Sequence, residues 1–148
     1  MRILLAYDGF QHSKHALEET AELAAKGLAQ VTILSVVPEV DARGSKSGGH
    51  RWLAPHAHQD VAVAHAYLRE REIEAEMKIA HGEPTEEICR EASDGGYDLV
   101  VAGSRGRGAV GELILGSVSQ RLVDEAPCPV LIAGKGATVR HAPSDSVR

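Results

Sequence analysis

The sequence predicts an α/β domain, an open doubly wound sheet of parallel strands with helices on both faces. Three observations carry this expectation. Short apolar runs alternate with stretches of helical spacing along most of the 148 residues. Hydrophobic residues make up 43% of the chain but aromatics only 3%, so Val, Leu, Ile and Ala must build the core, as in parallel sheets covered by helices. The first two apolar runs are joined by a helical stretch, which makes them parallel neighbours with a right-handed crossover.

Residues 2–7 form an apolar run too short for a helix and stopped by Asp8-Gly9; they read as a buried strand. Ser13 is placed to cap the helix that follows, where Leu17, Ala21, Ala24 and Leu28 share a face and Gly27 lies near the end. Residues 31–37 (VTILSVV), stopped by Pro38, give a second buried strand. Residues 41–49 hold three glycines and two serines, so a flexible loop is expected over about 39–52. A helix over about 53–71 sets Val61, Ala64 and Leu68 on one face, and residues 74–80 give a third strand.

Pro84 suits a first helical position, and Glu86 and Glu87 favour the positive end of the helix that it opens. That helix ends near Asp94-Gly95-Gly96, and residues 98–102 (DLVVA) are the fourth strand. A glycine-rich loop then leads to a helix over about 117–126, with Val118 and Leu122 facing inward. Pro127 and Pro129 break it, and residues 130–133 (VLIA) are the fifth strand. The expected fold is a Rossmann-like sheet of five parallel strands in the order 3-2-1-4-5, with about four helices. The domain covers residues 1–134, and residues 135–148, which lack apolar periodicity, are expected to be a disordered tail.

Composition narrows the function. A formal net charge of −5 disfavours nonspecific binding to nucleic acid or to anionic membranes. The two cysteines, Cys89 and Cys128, lie far apart without a Cys-x-x-Cys, which argues against a zinc site or a disulfide framework and fits a reducing compartment. The N-terminal apolar run is shorter than a signal peptide requires, and none reaches transmembrane length. A soluble, cytoplasmic protein is expected.

Ligands of open parallel sheets bind beyond the C-terminal strand ends, where the strand order reverses. The first and fourth strands flank that point, and they are followed by Asp8-Gly9 and by Gly103-Ser-Arg-Gly106. Residues 103–119 (GSRGRGAVGELILGSVS) carry five glycines between a strand and a helix. Such glycines let backbone N–H groups approach an anion, and the helix start adds free N–H groups and its positive dipole end. Ser117 and Ser119 contribute hydroxyls, and Arg105 and Arg107 contribute charge. A capped surface loop has the same composition; it is the position after the central strand that favours phosphate.

Two other phosphate motifs fail. Gly106-x-Gly108-x-x-Gly111 matches the dinucleotide fingerprint, but the next strand ends in Gly134-Lys135 rather than in an acidic residue. No Walker A loop occurs.

The spacing of Gly103-x-x-Gly106, nine residues, then Gly116-Ser117 resembles the ATP-binding motif of the universal stress protein family. The resemblance runs from residue 2 to about 133. It includes Asp8 after the first strand, His81-Gly82-Glu83-Pro84, the run from Asp98 to Ser104 and the Ala126-Pro-Cys-Pro-Val ending. It implies ATP, with Mg²⁺, held by Gly103, Gly106, Gly116 and Ser117 at ribose and phosphates. Val118 and Ser119 would complete the helix-start contacts, and Arg105 would reach a phosphate. It also implies Asp8 beside the nucleotide, the Val36 backbone on the adenine edge, and Ala6, Tyr7 and Ala102 in the pocket. Tyr7 and Phe10 are bulkier than the residues often found there. A homodimer through residues 130–133 is implied as well, and the apolar last strand, with nothing after it to pair, is an edge that invites it.

Read on its own, Asp8-Gly9 after a strand is also a common turn, and a carboxylate beside a triphosphate needs Mg²⁺ or a ribose hydroxyl as partner. His56-x-His58, expected in a loop, lacks acidic or cysteine partners at ligand spacing, so no metal site is expected. His12 and His15, at the start of the first helix, are placed either toward phosphates or on the helix surface. No catalytic residues are identified, because Glu112 and Gln120 are the nearest residues that could position water and neither is compelling. Three functions follow: a nucleotide-dependent sensor in the stress response, a slow ATPase, or a scaffold that does not use the nucleotide.

Overall fold

The computed structural model describes residues 1–38, 54–104, 106–107, 113–134 and 137–143. In chain order the elements are β1 (Arg2–Ala6), α1 (Gln11–Ala25), β2 (Gln30–Val37), α2 (Ala54–Arg69), β3 (Ala75–His81), α3 (Pro84–Asp94) and β4 (Leu99–Gly103). They continue with β5 (Gly106–Arg107), β6 (Leu113–Ile114), α4 (Ser117–Glu125), β7 (Val130–Gly134) and β8 (Ala137–His141).

The main sheet has the order β3-β2-β1-β4-β7-β8. Its first five strands are all parallel, as expected from helical connections. Strand alternation splits the core into two layers. Ile3, Leu5, Ile33 and Val101 pack with Leu17 and Ala21 of α1 and Val61, Ala64 and Leu68 of α2. Leu4, Leu34, Val100 and Ile132 pack on the other face with Ile88 and Ala92 of α3 and Leu122 of α4. Because both faces are covered, the central strands β1, β4 and β7 read as nearly continuous apolar runs rather than alternating.

The start of α3 follows its sequence logic. Pro84 occupies the first turn, the Glu86 amide donates to the Glu83 carboxylate at 2.8 Å, and Glu86 and Glu87 sit at the positive end. The start of α1 does not. Its N-cap is Phe10, and Ser13 lies inside the first turn, buried, with its hydroxyl donating to the Phe10 carbonyl at 2.9 Å. At the other end α1 stops at Ala25, so Leu28 leaves the helical face and is 99% exposed.

The C-terminal part also departs from the sequence reading. Residues 137–141 are not a disordered tail. They form β8, antiparallel to β7 in register from Val130↔His141 to Gly134↔Ala137. Only residues 135 and 136 separate the two strands, the length of the shortest hairpin connection. The edge of β7 is therefore taken by the chain itself, and residues 130–133 are not the bare seam expected for a second copy. The short run ATVRH carries too little apolar alternation to announce this strand. Within the glycine-rich segment, β5 and β6 pair antiparallel, Gly106 with Ile114 and Arg107 with Leu113. The loop expected at about 39–52 lies outside the described residues, as does Arg105.

Candidate functional site

β1 and β4 are adjacent and parallel, and their following helices leave on opposite faces of the sheet. That divergence opens the crevice expected at a switch point. A cavity of about 220 Å³ lies there, beyond the ends of β1, β2 and β4. Its floor comes from Ala6, Tyr7, Ala102 and Gly103 at the strand ends. One wall is apolar, from Leu34, Val36, Pro38, Pro84 and Ile88, and Val118 and Ser119 close it at the start of α4. The other wall carries Asp8, Phe10, His12 and Ser13 at the entrance to α1.

Local chemistry fixes the Asp8 turn. Asp8 Oδ1 accepts the Phe10 amide at 2.9 Å, and Oδ2 lies 3.1 Å from His12 Nε2. Gly9 takes φ +82°, a conformation that L side chains rarely adopt. Asp60, on α2, brings its carboxylate over Gly9, where a Cβ would fall 2.6 Å from the Asp60 Cγ. Burial pushes the Asp60 carboxyl above the usual aspartate value, and Asp8 adds to this while His56 opposes it. Burial, then Asp60 and Asp8, push the Tyr7 hydroxyl up as well.

Among the described residues, the start of α4 offers unused donors. Its N-cap, Gly116, makes no side-chain capping bond, and the Ser119 hydroxyl donates back to the Gly116 carbonyl at 3.1 Å. Ser104, directly after Gly103, is buried, and its hydroxyl has no partner among the described residues. Free N–H groups at a helix start fit an anion.

Of the residues singled out by sequence, the fold brings Ala6, Tyr7, Asp8, Val36, Ala102, Gly103, Val118 and Ser119 to this cavity. Gly106 lies in β5, and Gly116 and Ser117 stand at the start of α4, outside the described lining of the cavity. Sequence reasoning gave no cavity role to the apolar wall of Leu34, Pro38, Pro84 and Ile88. Leu34 and Ile88 read as core positions, and Pro38 and Pro84 as strand and helix boundaries; only topology shows that they converge.

His56 and His58 lie in α2 rather than in a loop. Among the described residues no group of three His, Cys, Asp or Glu side chains could hold a metal ion. Cys89 is half-buried and Cys128 buried, both are free thiols, and burial pushes both up. No helix among the described residues is long and apolar enough to cross a membrane.

Comparison with known proteins agrees with this architecture. The profile of the universal stress protein family matches residues 1–134. A universal stress protein of Thermus aquaticus, encoded in the 3′ region of QAH/OAS sulfhydrylase, is 37% identical over 131 residues, covering 88% of this chain and 96% of its own length. Universal stress protein YxiE of Bacillus subtilis is 32% identical over 143 residues, covering 88% and 97%. Among solved structures, a family protein from Burkholderia pseudomallei superposes with a TM-score of 0.70 at 28% identity, over 88% of this chain and 93% of that one. A family protein from Arabidopsis thaliana solved with AMP bound superposes with a TM-score of 0.71 at 23% identity, over 93% of each chain. With its sheet order, its switch-point cavity and the match over residues 1–134, the chain belongs to the universal stress protein family.

Proposed function

We propose that the chain binds ATP in the cavity above β1 and β4 and acts in the cytoplasm as a nucleotide-dependent sensor or regulator of the stress response. The observation that carries this reading is the pairing of chemistries in one crevice. An apolar slot of Val36, Pro38, Pro84 and Ile88 suits a purine, and the uncapped start of α4 beside Gly103 suits phosphates. Asp8 suits a ribose hydroxyl. Gly103, Gly106, Gly116 and Ser117, with Arg105, keep the glycine spacing of ATP-binding members. The relative with bound AMP supports a nucleotide in this fold. Among the described residues of the cavity lining, Mg²⁺ would find Asp8 as its one carboxylate, so phosphate oxygens and water would supply most of its shell.

Turnover is expected to be slow or absent, because among the described residues no Glu or Gln lines the cavity to position water. A rate of about 1 s⁻¹ or above with Mg-ATP would favour an ATPase over a sensor. A homodimer joined at the β7–β8 end of the sheet belongs to the same proposal, with β8 rather than residues 130–133 outermost. The test of binding is mass analysis of small molecules released from protein purified without added nucleotide, followed by titration calorimetry with ATP. Micromolar-class binding is expected in the natural chain and its loss in Gly106→Val, where a β-branched side chain would enter the phosphate path. Equal binding by both proteins rejects the loop assignment.

A further inference from the structure

The chain has a single phenylalanine, and the core does not use it. Phe10 lies 51% exposed at the mouth of the cavity. In a protein with 3% aromatic residues, leaving that ring half in water forfeits one of the largest available gains from burial. The ring also has an aromatic neighbour. It stacks on His12, with ring centroids 6.0 Å apart and planes 19° from parallel. One carboxylate orients both residues: Asp8 Oδ1 accepts the Phe10 amide at 2.9 Å, and Asp8 Oδ2 lies 3.1 Å from His12 Nε2.

This ring pair stands at the entrance to α1, which packs on one face of the sheet. The apolar slot for the first base is made in part by Pro84 and Ile88 of α3, and Ile88 packs on the opposite face. The cavity thus has two places that suit a flat π-system, one enclosed and one at its mouth. On the nucleotide reading, Gly103 at its floor and the start of α4 would face the phosphates. Exposed, pre-oriented aromatic rings beside a phosphate-binding surface are the usual stacking platform for a base.

We infer that this site accepts a ligand with two nucleobases joined through a chain of phosphates, a dinucleoside polyphosphate, with its second base stacked on the Phe10–His12 pair. The inference rests on the nucleotide reading of the cavity and adds to it a second base subsite and a ligand class.

Titration calorimetry on the full chain with ATP and with diadenosine tetraphosphate tests it. The dinucleotide is expected to bind about tenfold more tightly than ATP in the natural chain, the gain of one base stack. That ratio should fall to about one in Phe10→Ala and persist in Phe10→Trp. Because Phe10 is half-exposed, neither substitution empties the core. ATP binding without preference for the dinucleotide overturns the second subsite and leaves the nucleotide reading intact. A preference that survives in Phe10→Ala overturns it too, as does an equal loss of both ligands in that variant, which would place Phe10 on the first base. Failure of both ligands to bind the natural chain overturns the nucleotide reading and this inference with it.

Discussion

Gly103 at the end of β4 abuts the His12 backbone in the first turn of α1. A Cβ at Gly103 would fall 2.6 Å from the His12 carbonyl carbon and 2.9 Å from the Ser13 nitrogen, with the His12 oxygen closer still. These neighbours are main chain and cannot swing aside. Gly103→Ala must therefore push α1 away from the cavity floor. The expected cost is about 1–3 kcal/mol, the usual penalty of overpacking. Urea unfolding should show a lower midpoint, and nucleotide binding should weaken because His12 and Ser13 line the same cavity. An unchanged midpoint would mean that the two segments do not touch.

Gly9 is constrained twice, by its φ of +82° and by the Asp60 carboxylate. Gly9→Ala should lose about 1–3 kcal/mol to backbone strain alone, with the Asp60 contact adding to it. In a double-mutant cycle, Asp60→Ala should recover the contact part and leave the strain part. Strict additivity of the two substitutions would place Asp60 elsewhere.

The raised Asp60 carboxyl makes stability depend on pH in a definite direction. Its folded-state value lies above the unfolded one, so the folded chain holds this proton more tightly. The contribution is fully present below the ordinary aspartate value of about 3.9 and is lost as pH rises through the higher folded value. At neutral pH the ionised group is a burden. Asp60→Asn should melt at a higher temperature than the natural chain at pH 7, and the gap should close as pH falls below about 4. A gap that does not change with pH would mean that ionisation of Asp60 is not its source.

Much of this fold is legible because its elements are locally consistent. Val61, Ala64 and Leu68 share a helical face and are buried, and Pro84 with Glu86 marks a helix start that forms as read. Two kinds of feature resist that reading. Leu28 fits the period of α1 but follows its end at Ala25, and periodicity alone does not say where a helix stops. The second kind is tertiary. Pro84, Ile88 and Leu34 become a cavity wall only because α3 packs on β2 at one face of the sheet, and Asp60 reaches Gly9 from 51 positions later in the chain. Asp8, Val36 and Gly103 are legible because strand ends at a switch point can be located from strand order.

β8 is the feature that the sequence least announced, and it determines how the sheet ends. All five residues of β7, VLIAG, are buried, and none carries charge. Without β8 their outer edge would present unpaired N–H and C=O groups on an apolar strand, a template for pairing with other chains. A chain ending at Gly134 should therefore associate more strongly than the full chain, as larger species or as precipitate. Substituting Leu131 or Ile132 with Lys does not test a seam, because both side chains are buried in the core layers and a charge there would unfold the domain. Light scattering behind size exclusion at matched micromolar concentration reads the outcome. For the full chain a mass of about twice 15.7 kDa is expected, and a mass of one chain rejects the dimer. If the shortened and full chains have the same mass and solubility, β8 does not shield β7 in solution, and residues 130–133 regain the role of an open edge.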